Sequence, residues 1–191
     1  MTRRARLAAV LLFLLILWAA FRFSGLAGHL NLPFLQSSFE HHRLGGLFLF
    51  CALFALGNLV QIPGWIFLAA AVLALGRSWG GLATYAAACI SCAATFVVIR
   101  LLGADALREF EGRWSRLLFA RLDAHPVQSV FLLRLMFQTA PALNTVLALS
   151  GVGFRDYLLG TVLGLPLPIA LYCVFIDTVA HWFGWGIAMP H

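Results

Sequence analysis

Two apolar stretches of this chain contain residues that a membrane-crossing helix cannot expose to lipid. The first holds Gln61-Ile62-Pro63-Gly64; the second runs from Arg134 to Asn144 and includes Gln138 and Pro141. Hydrocarbon has no water to satisfy a broken backbone, so such breaks persist only when buried in protein or lining a wet cavity. Paired breaks in corresponding places of two halves point to an intramembrane binding site.

Composition places the chain in the bilayer. Of its 191 residues 62% are hydrophobic and 10% charged, with a mean hydropathy of +0.94. Soluble domains carry about 25% charged residues, so this surface cannot be covered in water. The formal charge of +6 comes from arginines that flank apolar runs instead of forming a stripe. That pattern suits anionic lipid headgroups and excludes nucleic acid as a partner. Cys51, Cys89, Cys92 and Cys173 are scattered. Cys89-x-x-Cys92 lies in an uncharged run with no second pair at zinc spacing, and His41-His42 has no partner motif, so no metal and no cofactor are expected.

Leu7 to Phe21 is an unbroken apolar run between Arg3, Arg4 and Arg6 on one side and Arg22 on the other. It reads as an uncleaved first span lengthened by snorkelling arginines; the alternative is a signal peptide with Ala27 as its cleavage position. Residues 24–43 are mixed and polar and read as an external loop or a short interfacial helix. Leu44 to Ile62 is uncharged up to the Pro63-Gly64 interruption, where proline removes a donor and glycine loosens the next link. Trp65 to Gly76 is apolar for only about 12 residues, too short to span. Ser78 to Ile99 can cross, and Gly80, Thr84, Ala87, Ser91 and Thr95 give it a small-residue face. Residues 101–125 mix charge with apolar side chains, as an amphipathic surface helix does. Tyr157 to Ile176 is a second uncharged span, with Gly160-x-x-x-Gly164 and the Pro166/Pro168 kink.

Arginine placement sets orientation. Three precede the first span, five lie between Arg100 and Arg121, and none follows Tyr157. The positive-inside rule then puts the N-terminus and the charged segment in the cytoplasm. The charges agree only if both breaks are re-entrant, the first dipping in from outside and the second from the cytoplasm. The expected fold is an all-α integral membrane protein with inverted repeats, each a re-entrant helical hairpin followed by a transmembrane helix, plus an N-terminal transmembrane helix. The expected division is residues 1–43 for the N-terminal helix and loop, then a domain over 44–186. That domain contains repeats 44–100 and 126–186, joined by the cytoplasmic segment 101–125. Val72-Leu73-Ala74-Leu75-Gly76 echoes Val146-Leu147-Ala148-Leu149-Ser150-Gly151, with Arg77 and Arg155 just beyond.

At these residues the chain resembles the DedA / VTT-domain superfamily, also called SNARE-associated Golgi proteins, and in particular its shorter VTT branch. Pro63-Gly64 leads into Leu68-Ala69-Ala70-Ala71 and Gly76, like the family's Pro-Gly and alanine-rich stretch. Phe96-x-x-x-Arg100 resembles the close of its first spanning helix. Arg134-Leu135 with Asn144 ten positions on resembles its second hairpin, although Phe137 stands where a proline is usual and Pro141 is displaced. Tyr157, Thr161, Gly164 and Pro166 resemble the motif that follows. The resemblance implies a lipid flippase or scramblase of a bacterial inner (plasma) membrane, acting on a polyprenyl phosphate or a phospholipid. It implies no enzyme activity.

The chemistry agrees with that expectation. A lipid phosphate crossing the bilayer needs a cation and donors in place of water, and Arg134 offers a guanidinium fork matched to phosphate oxygens. Gln61 and Asn144 would line the two hairpins, with Pro63, Gly64 and Pro141 as their breaks. Arg100, at the membrane edge, would receive the headgroup. Arg134 could instead lie shallow and snorkel, Arg100 could be a simple anchor, and Tyr157, Trp182 and Trp185 read as interfacial aromatics. Three other functions fit less of the sequence. One is a non-transporting role in membrane organisation or assembly, in which small-residue faces serve as contact surfaces and allow a homo-oligomer. Another is carriage of a small anion. The third is an intramembrane serine protease built on Ser150 and His181.

Overall fold

The computed structural model describes residues 12–16, 19, 43–103 and 120–182. The expected external loop, most of the N-terminal span and of the amphipathic segment, and Trp185 lie outside them. The described residues are helical and contain no strand. Six helices carry the argument: α1 Arg43–Leu59, α2 Gly64–Gly103, α3 Pro126–Phe137, α4 Pro141–Leu149, α5 Phe154–Gly164 and α6 Pro166–Trp182. Two apolar helical stretches are long enough to cross a membrane, Gly64–Leu102 and Phe154–Ala180. The chain is a membrane protein.

α2 is not one rod. Gly76 has φ 77° and ψ 171°, a conformation open to glycine alone. Residues 71 and 80 would stand about 13 Å apart along an unbroken helix. Here a Cβ on Gly80 would meet the Ala71 carbonyl oxygen at 2.5 Å and the Val72 Cα at 2.8 Å. The segment from Gly64 therefore runs up to Gly76, folds back, and continues as the long helix 77–103. The short apolar run read from the sequence ends at this fold.

α1 ends in a Schellman-type turn. The Ile62 N–H bonds the Gly57 carbonyl at 2.8 Å and the Gln61 N–H bonds the Asn58 carbonyl at 3.2 Å. That turn places its closing residue in the left-handed region, and glutamine occupies it, with φ 68°. The second break also puts a glutamine at positive φ, Gln138 at 49°. Its N–H bonds the Arg134 carbonyl at 2.8 Å, and Pro141 starts α4, where a missing N–H costs nothing. Gly151, at φ 88°, turns the chain from α4 into α5.

Residues 77–103 and α5–α6 run antiparallel over their whole length. Arg77 faces Asp177 at 3.9 Å, a Cβ on Gly81 would meet the Cys173 sulfur, and the Phe96 and Phe154 ring centroids are 5.7 Å apart. α3 packs along α5, where Gly160 and Gly164 bring the helices close enough that an added Cβ would meet the Val127 and Phe131 carbonyls at 2.8 and 2.9 Å. The Gly160-x-x-x-Gly164 face is thus taken up within the chain. α4 packs along α2. Two apolar clusters result. One gathers Phe96, Ile99, Val130, Leu147 and Tyr157 with Leu14 against it; the other gathers Phe50, Phe54, Leu68, Leu165 and Ile169.

Candidate functional site

A polar chain threads this apolar packing. Arg134, in the last turn of α3, is wholly buried. Its Nε–H donates to the Thr161 hydroxyl at 3.1 Å, its Nη1 to the Gln138 carbonyl at 3.0 Å and its Nη2 to the Tyr157 hydroxyl at 2.8 Å. The guanidinium also stands 5.2 Å from the Tyr157 ring centroid. Three of the five N–H groups an arginine carries are thereby engaged, all by neutral oxygens. Arg77 and Asp177 form an exposed ion pair at 3.9 Å, at the far end of the antiparallel helices. Among the described residues no carboxylate stands against the buried Arg134 cation.

The network continues into the other half. The Tyr157 hydroxyl reaches the Cys92 carbonyl and the Asn144 Oδ1, each at 3.1 Å. Asn144 Nδ2 donates to Asn58 Oδ1 at 2.9 Å, Asn58 Nδ2 to Ser91 Oγ at 2.9 Å, and Ser91 Oγ to the Phe54 carbonyl at 3.4 Å. Asn58, Ser91, Asn144, Tyr157 and Thr161 are all buried. The two breaks meet directly as well, because a Cβ on Gly64 would collide with the Thr139 side chain.

Distance from the flanking arginines follows from helix rise. Thr161 lies six residues beyond Arg155, about 9 Å, and Ser91 nine residues before Arg100, about 13 Å. The polar groups thus stand about two turns or more from the flanking arginines along their own helices. The Arg134 side chain is enclosed by protein and reaches no exposed surface.

Asn144 sits at the centre of the network. Gln61 holds the positive-φ corner of the first break, and its Nε2 is buried without a partner among the described residues, as are the Thr84 and Thr95 hydroxyls. Pro63, Gly64 and Pro141 frame the two breaks. Arg100 is half-buried and stacks against the Phe96 ring at 5.6 Å. Its Nη1 donates to the Ala148 and Val152 carbonyls, each at 3.1 Å, which fixes the exit from α4. Arg100→Met is expected to cost about 1.5–3 kcal/mol, the worth of hydrogen bonds from a charged donor, read as a lower midpoint in unfolding titrations of the reconstituted protein.

Tyr157 departs from its reading as an interfacial aromatic. It is completely buried, with its hydroxyl at the centre of the cluster and its ring 4.4 Å from that of Phe96. Trp182 is 87% exposed. Ser150 Oγ donates to the Leu147 carbonyl of its own helix at 2.8 Å. Asn58 was not singled out from the sequence, although apart from Gln61 it is the only amide between Leu44 and Ile62. An amide in such a run needs a buried partner, which is the signal that could have found it.

The family model of the VTT domain matches residues 62–178. The chain belongs to the VTT domain family. That range takes in Gln61's neighbours at the first break, the whole second break, and both antiparallel spans. It places the chain with membrane proteins of the DedA type. Asn58 and α1 precede it. No curated protein and no solved structure matches the chain.

Proposed function

We propose that this VTT-domain protein moves a phosphate-bearing lipid, a phospholipid or a polyprenyl phosphate, between leaflets. The observation that carries this reading is Arg134, a guanidinium fully buried at a broken helix with no carboxylate against it among the described residues. Burying a charge costs several kcal/mol unless it is compensated. A chain of neutral dipoles lowers that cost while leaving the positive charge available to an anion. Two of the five N–H groups have no acceptor among the described residues, which leaves them for phosphate oxygens, and the Gln61 amide, likewise without a partner among those residues, adds a donor at the first break.

The backbone supports inverted repeats as the frame for such movement. In each half a helix ends at a glutamine of positive φ, a proline follows within three residues, a short helix runs to a glycine of positive φ, and a spanning helix begins. The two spanning helices are antiparallel. Read as re-entrant hairpins, the breaks meet inside the bilayer, with the N-terminus and the Arg100 end in the cytoplasm, as in an inner membrane. Arg134 and Asn144 form the headgroup site, Gln61 its far wall, and Arg100 holds the hairpin in place.

The test is leaflet exchange in proteoliposomes of three labelled lipids: a phosphatidylglycerol, a polyprenyl phosphate and a neutral diacylglycerol glycolipid. Exchange of at least one phosphate-bearing lipid above protein-free vesicles, without the glycolipid, is expected. Release of entrapped inorganic phosphate with no lipid exchange would move the assignment to a small anion. No movement of any of them would favour a role in membrane organisation.

A further inference from the structure

We infer that Asn58, on the helix that precedes the matched domain, is a positioning residue for the Arg134 guanidinium, so that the first break sets how firmly the second presents its cation. The inference rests on the reading of Arg134 as the headgroup's cation.

Hydrogen-bond direction carries the argument. Ser91 Oγ reaches the Phe54 carbonyl, which can only accept, so the serine proton is committed there. Ser91 must then accept from Asn58, and the nitrogen end of the Asn58 amide faces Ser91. Its oxygen end faces Asn144, which must present its own nitrogen. That leaves the Asn144 oxygen towards Tyr157. The tyrosine proton points to Asn144 or to the Cys92 carbonyl, and its oxygen lone pair is left for Arg134 Nη2.

Every amide and hydroxyl from Ser91 to Tyr157 therefore turns its oxygen towards the guanidinium. Aligned hydrogen bonds polarise one another in a low dielectric. Reversal of Asn58 would set its nitrogen against the Asn144 nitrogen, and reversal of Asn144 would set its oxygen against the Asn58 oxygen. Asn58 is the link that fixes the Asn144 orientation, and it stands on α1, across the interface from α3 and α4. Without it Asn144 can turn over, the Tyr157 hydroxyl keeps only the Cys92 carbonyl, and Arg134 loses the field that orients it.

The experiment uses the full chain in nanodiscs, labelled with 15N-arginine, and follows hydrogen exchange at the Arg134 Nε–H, assigned by its disappearance in Arg134→Lys. Slow exchange is expected in the wild type, because that hydrogen is buried against Thr161. Asn58→Leu should speed it by about tenfold or more, while backbone amides of α6 keep their protection. Ser91→Ala should act in the same direction less strongly, and it serves where Asn58→Leu fails to fold. Thr145→Ala is the control, since the Thr145 hydroxyl bonds only the Pro141 carbonyl of its own helix. Three results would overturn the inference: fast exchange in the wild type, no change in either chain variant, or equal acceleration of the α6 amides.

Short-chain dihexanoyl phosphatidylglycerol is then titrated in. A shift of the Arg134 resonance that needs more lipid in Asn58→Leu is expected. A wild-type resonance that ignores the lipid would sink the headgroup reading while leaving the exchange result to decide the positioning role.

Discussion

Arg134→Met is expected to abolish lipid exchange while leaving the protein as stable as before, or more so. Methionine fills a similar unbranched volume and removes the cost of holding a charge in an apolar interior. Replacing buried ionic groups by apolar ones of similar size is often neutral or stabilising. The groups left behind are mostly cared for: the Tyr157 hydroxyl keeps Cys92 and Asn144, and Thr161 can turn back to its own helix. Only the Gln138 carbonyl loses a partner. Exchange, by contrast, would lose the hydrogen bonds of a charged donor to phosphate. At about 1.5–3 kcal/mol each, two of them correspond to a hundredfold or more, about 1.4 kcal/mol being tenfold.

Tyr157→Phe should show the opposite order. It leaves the guanidinium buried with one acceptor fewer, and about 1.5–3 kcal/mol of stability should go with it. Thermal unfolding in nanodiscs beside the exchange assay reads both quantities. A methionine variant that loses about 3–5 kcal/mol, the cost of breaking a needed buried pair, would make Arg134 a structural residue and favour membrane organisation.

The difference between these two variants also shows what the sequence could reveal. Arg134 and Asn144 stand out because charge and amide are expensive in lipid, and Pro63-Gly64 stands out because proline cannot continue a helix. These are local properties, written in residue type. The fold-back at Gly76 was legible as a length, since the run after Pro63-Gly64 is too short to span. Tyr157 was not legible in the same way. A tyrosine directly after the charged Arg155-Asp156 pair looks interfacial by the aromatic-belt rule. Its burial follows from Gly160 and Gly164, which draw α3 onto α5 and so carry the α3 guanidinium to the hydroxyl. The bond from Asn58 to Asn144 joins residues 86 positions apart. No periodicity within one helix encodes it, because it depends on how α1 and α4 both lie against α2.

A second large effect is expected at two adjacent glycines that sequence reading cannot tell apart. Gly80→Val should prevent the fold-back at Gly76, whereas Gly81→Ala should be close to harmless. At Gly80 the added Cβ meets backbone, the Ala71 oxygen at 2.5 Å and the Val72 Cα at 2.8 Å. Backbone cannot rotate away, so the two arms of α2 must separate. Overpacking of this kind costs about 1–3 kcal/mol and sometimes more, and valine adds two further methyls to the collision. The opened arm would also withdraw Gly64 from Thr139, so the breaks would part and exchange would fall with stability. At Gly81 the Cβ meets only the Cys173 sulfur, at 2.9 Å, and that side chain can change rotamer. Alanine in place of an interior helical glycine returns about 0.5–1 kcal/mol of backbone entropy, which offsets the crowding. Unfolding midpoints of Gly80→Val, Gly80→Ala and Gly81→Ala, measured in one lipid, should fall in that rising order. Equal midpoints would mean that the helix runs on past Gly76, with the first break no longer carried back towards the second.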